Sequence, residues 1–76
     1  MLNFPPRSDP RWQNRVWRTE ALRSLMDERG LTAAMVADIL DCSELTVFGY
    51  RSITARPISA NTLKALVYEI ERESLV

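Results

Sequence analysis

Residues 30–50 read Gly30-Leu31-Thr32-Ala33-Ala34-Met35-Val36-Ala37-Asp38-Ile39-Leu40-Asp41-Cys42-Ser43-Glu44-Leu45-Thr46-Val47-Phe48-Gly49-Tyr50, and the order of caps and apolar positions within them decides the fold. Gly30 ends one helix, because a residue without Cβ takes the left-handed conformation at little cost. Thr32 then caps a second helix, predicted over Ala33 to Leu40, with Val36, Ala37, Ile39 and Leu40 apolar and Asp38 outward. Asp41-Cys42 is a turn, since aspartate tolerates a left-handed backbone better than most residues. Ser43 caps a third helix, about Glu44 to Arg51. Val47 and Tyr50 share one face of it, while Leu45, Phe48, Gly49 and Ser52 cluster on the other.

Outward from this stretch, Asp9-Pro10 supplies an N-cap and a proline at the first helical position, where its missing N–H costs nothing. Arg11 to Arg29 holds no glycine or proline, and Leu22, Leu25 and Met26 fall on one face, so one long helix is predicted there. On the other side, Ile53 to Ile58 contains Pro57 and no helical stripe, which predicts a loop. Ser59 opens a last helix, in which Leu63, Leu66, Val67 and Ile70 repeat at i, i+3, i+4 and i+7. Met1 to Ser8 is aperiodic and carries Pro5-Pro6. Residues 1–9 are therefore expected to form a flexible N-terminal arm, and 10–76 one all-α domain, a small helical bundle.

Seventy-six residues, 46% of them hydrophobic, suffice for one core but not for two domains or a large catalytic cleft. A domain of this length retains roughly 4–11 kcal/mol of net stability. The chain has no histidine, which removes the usual neutral-pH general base and the finger-type zinc ligands, and an enzyme is not expected. No cofactor or metal is called for. The single cysteine, Cys42, has no partner within the chain for a disulfide; it reads as a small buried hydrophobe, and a reducing compartment is expected. No apolar run nears the roughly 20 residues that span a bilayer, so a cytoplasmic location is expected. Ten basic and ten acidic residues cancel overall but are unevenly placed. Residues 1–26 are net positive, 27–50 carry only Arg29 against five acids, and 51–76 return to slightly positive.

Two short helices joined by about three residues, each opened by a capping hydroxyl, have the layout of a helix-turn-helix at about residues 32–51. The same stretch resembles, without a gap, the Cro and phage-repressor type, also called the xenobiotic-response-element family. Ala37 matches the small residue where the two helices cross, Ser43 the cap, Thr46-Val47 the family's Thr-Ile, and Tyr50 a bulky core position. Pro57 matches a loop proline and Leu63 to Ile70 the next helix, so the likeness covers roughly residues 18–73. Ala33, Asp41 and Glu44 depart from the glutamine, glycine and basic or amide residue common at those positions.

The resemblance implies a sequence-specific duplex-DNA-binding regulator of transcription that acts as a homodimer, most simply a small repressor of phage or mobile-element type. A helix in the major groove packs one face on its own domain and offers the other to base edges. The expected DNA-binding residues are Thr32, Ser43, Glu44, Leu45, Phe48, Gly49, Arg51, Ser52 and Arg56. Arg7 and Arg11 could reach a minor groove from the arm. Trp12, Val16 and Trp17, or Leu75 and Val76, could form the dimer interface. The competing expectation is a helical protein-interaction module that uses the Leu45/Phe48 surface.

Overall fold

Local chemistry sets the element boundaries in the computed structural model, which describes residues 4–52 and 54–74. A 3-10 turn spans Pro10–Gln13, followed by α1 (Arg15–Arg29), α2 (Ala33–Leu40), α3 (Glu44–Tyr50) and α4 (Ala60–Ser74). No strand occurs among the described residues. The radius of gyration is 11.6 Å, close to the roughly 11 Å of a compact chain this long.

The predicted caps are in place. The Thr32 hydroxyl accepts the Met35 N–H at 3.2 Å, Ser43 accepts that of Thr46 at 3.1 Å, and Ser59 that of Thr62 at 3.2 Å. α1 and α2 end alike. Gly30 (φ 64°) and Asp41 (φ 55°) are left-handed, and the next residue bonds back to the helix: Leu31 N–H to Met26 at 2.8 Å, Cys42 N–H to Ala37 at 2.9 Å.

The predicted Arg11–Arg29 helix is corrected at its start. Asn14 is extended (φ −90°, ψ 113°), and its side chain accepts the Trp17 N–H at 3.0 Å, so Asn14 caps α1 and separates it from the turn that Asp9 caps. An asparagine inside a periodic pattern competes for its own backbone, and here that competition wins.

The core consists of Trp12, Leu22, Leu25, Met26, Val36, Ala37, Val47, Ile58, Leu63, Leu66, Val67 and Ile70. α2 packs on α3 and α4, and α1 on α4 and the 3-10 turn. Thr19 is fully buried and returns its hydroxyl to the Arg15 carbonyl at 2.9 Å. Ile58, inside the proline loop, is also fully buried. Its carbonyl takes the Arg18 Nε–H at 2.7 Å, while Nη1 of Arg18 donates to the Trp12 carbonyl at 2.9 Å. One guanidinium thus ties the 3-10 turn and the loop to α1. Cys42 is half-buried against the core rather than enclosed by it.

The arm docks from Phe4 onward. Phe4 stacks on Trp12 (centroids 6.0 Å apart) and meets Trp17 edge-on at 6.5 Å, while Trp12 and Trp17 meet edge-on at 5.1 Å. The Trp12 Nε1–H donates to the Pro6 carbonyl at 2.9 Å, and the Lys64 ammonium lies 5.5 Å above the Trp12 ring. Trp12 is consequently 2% exposed, which corrects its assignment to a dimer interface: the chain's own N-terminal segment and α4 cover it.

Candidate nucleic-acid interface

α3 presents the split that its periodicity predicts. Val47 is fully buried and Tyr50 half-buried on the inner side, whereas Leu45 is 81% and Phe48 54% exposed on the outer. Exposing a leucine to that extent forgoes most of the roughly 1.5–3 kcal/mol that burial would return, so Leu45 contributes little to folding. Met35 of α2, 46% exposed, is a third large apolar side chain left to solvent.

Thr32 and Ser43 are exposed, but their hydroxyls already serve as caps, and Ser43 Oγ also lies 2.9 Å from Thr46 Oγ1. Glu44 is exposed in the first turn of α3, where a carboxylate is favoured by the free N–H groups of the helix start. Ser52 departs from the expectation of an offered side chain. It is half-buried, accepts the Ala55 N–H at 3.2 Å and lies 3.3 Å from Thr54 Oγ1, so it shapes the loop.

Gly49 is likewise half-buried. A Cβ placed on it would lie 3.4 Å from Arg56 Cβ, an ordinary contact distance, so the loop passes close over this position of α3. Leu45, Thr46, Gly49, Ala55 and Arg56 together line a shallow groove between helix and loop. The structure therefore brings Arg56 to the outer face of α3, a placement that needed the tertiary path of the loop. Arg51 follows α3 directly, half-buried, and its carbonyl accepts the Arg23 guanidinium through Nε at 2.8 Å and through Nη2.

Arg11, named with Arg7 as a candidate arm contact, is exposed beside Asp9. Its Nε and Nη2 fork onto Asp9 at 3.1 and 3.2 Å. The fork and the Arg11 backbone N–H hold the Asp9 carboxyl below its ordinary 3.8, and the guanidinium is held more firmly protonated in return. Arg7 is exposed and lines a separate groove with Phe4, Lys64 and Tyr68, on the N-terminal segment and α4. Val16 is 41% exposed and Trp17 half-buried; Leu75 and Val76 lie outside the described residues.

Among the described residues no cluster of metal-ligating side chains occurs, and no helix is long and apolar enough to cross a membrane. Sequence reasoning missed Arg18, Arg23 and Ile58, whose roles depend on partners far along the chain. No family model, curated protein or solved structure matches the chain, which leaves the site's own residues to say what it binds.

Proposed function

We propose that α2, the turn at Asp41–Ser43 and α3 act as a helix-turn-helix that binds duplex DNA sequence-specifically, with the chain working as a symmetric dimer and regulating transcription as a small repressor. The observation that carries this reading is the contrast across α3, buried at Val47 and open at Leu45 and Phe48, with Arg51 and Arg56 at its C-terminal end. A major-groove helix needs that division: an inner face fixed by its own domain, an outer face for base edges, and cations near the flanking phosphates. Leu45 and Phe48 suit thymine methyl groups, and Glu44 suits a cytosine amino group.

A symmetric dimer would place two copies of α3 about one DNA turn, roughly 34 Å, apart. The exposed Val16 and half-buried Trp17 remain as a candidate seam. A second reading is favoured by the exposure of Met35, Leu45 and Phe48: an apolar face of this kind also suits a protein partner.

Selection from randomised duplexes at low salt, with sedimentation of the free and bound protein, tests the proposal. Enrichment of paired half-sites bound by two chains supports it. Absence of duplex binding, together with loss of a protein partner's binding in Leu45→Ser and Phe48→Ser, gives the site to the interaction module.

A further inference from the structure

At the C-terminal end of α3, three arginines from three segments approach one short stretch of backbone. Arg51 follows the helix, Arg56 packs over Gly49, and Arg23 reaches across from α1 to the Arg51 carbonyl. None of the three joins an acid within the described residues; the ion pairs there include Arg11 with Asp9 and Arg72 with Glu69. Glu44, the acid of α3, lies at the other end of the helix, about 10 Å away by helical rise. α3 is thus acidic where it begins and basic where it ends.

Arg23 differs from an ordinary surface arginine in how it is held. A guanidinium is a planar fork with two usable edges. Its Nε/Nη2 edge is engaged by the Arg51 carbonyl, which fixes the plane of the group and removes much of the rotamer entropy that an exposed arginine loses on binding. The Nη1 side has no partner among the described residues, and Arg23 is exposed. Two parallel N–H groups on a free edge match the oxygens of a phosphodiester.

We propose that Arg23 is a phosphate-contacting residue, pre-oriented by the Arg51 carbonyl, which extends the Arg51/Arg56 end of α3 into a three-arginine site for one stretch of DNA backbone. This rests on the DNA-binding reading above. It adds a contact from α1, outside the two helices of that reading, and it assigns the charge of Arg23 to the partner rather than to folding.

The test is a salt series of duplex affinity for the parent, R23Q and R23K, with the Arg23 side-chain nitrogen resonances of the parent followed on duplex addition. R23Q can keep a donor on the Arg51 carbonyl but loses the charge. Its plot of log affinity against log salt should flatten by about one unit, while R23K keeps the parent slope. In the parent, the Arg23 Nη signals should shift in step with the α3 amides. A duplex-binding parent whose Arg23 signals stay still, or an R23Q slope equal to the parent's, overturns this assignment and leaves the DNA reading standing. A parent without salt-dependent duplex binding overturns both. The parent resonances decide the matter even if R23Q folds poorly.

Discussion

The two glycines of the chain do opposite work. Gly30 is left-handed with no heavy atom near its would-be Cβ, so Gly30→Ala adds backbone strain and no clash; about 1 kcal/mol is lost, and the melting temperature falls by roughly 4–8 °C. Gly49 is helical, and a Cβ there would make an ordinary contact with Arg56. Gly49→Ala should therefore raise the melting temperature, since alanine improves on glycine in a helix by about 0.5–1 kcal/mol. Paired thermal melts check both signs, and equal shifts in one direction would contradict the backbone assignments. Asp9 gives a residue-level test by titration. Its carboxyl is held down by the Arg11 side chain and amide, so the capped 3-10 turn gains from ionised Asp9 above the ordinary 3.8, and that gain is lost as pH falls through the lower folded midpoint. Carbon-13 titration should place the Asp9 midpoint below 3.8 in the parent and nearer to it in Arg11→Gln, where the amide bond alone remains.

At the scale of elements, legibility followed the range of the interaction. Thr32, Ser43, Ser59, Gly30 and Asp41 act on backbone within a few residues, and their chemistry predicted the helix ends. Asn14 acts equally locally, yet the apolar stripe ran past it and concealed the break. Trp12, Arg18 and Arg23 could not be read, because their partners are the arm and α4, Ile58, and Arg51; the last two stand 40 and 28 residues away along the chain. The outer face of α3 was legible from its spacing, whereas the closure of Arg56 over Gly49 was not. Ala37 of α2 is 6% exposed within the core, so Ala37→Leu should cost about 1–3 kcal/mol by overpacking; a chemical-denaturation midpoint equal to the parent's would show room that the structure lacks. α3 itself should separate reading from gripping. Glu44→Ala is expected to relax preference at one base pair by about 1–3 kcal/mol without altering the salt slope, and Arg51→Ala to weaken all duplexes alike and flatten the slope by about one unit. Titrations on selected and scrambled duplexes measure both.

Over the whole molecule, the structure divides the surface by what the core has already claimed. Phe4, Trp12 and Trp17 form an aromatic cluster over α1 and α4, which takes the N-terminal segment out of the role of a free arm from Phe4 onward. Arg18 ties that segment to the loop before α4, and Arg23 ties α1 to the end of α3, so α1 braces both ends of the loop that carries Arg56. A rigidly held α3 with an uncovered outer face is the arrangement on which the DNA reading depends. The most direct test is an amide chemical-shift map of the parent, at low salt, titrated with a duplex drawn from the selection. The account predicts shifts concentrated at Ser43 to Ser52 and at Arg56, diminishing as salt is added. Shifts confined to the Phe4, Lys64 and Tyr68 side, or no shifts at any duplex concentration, would contradict it.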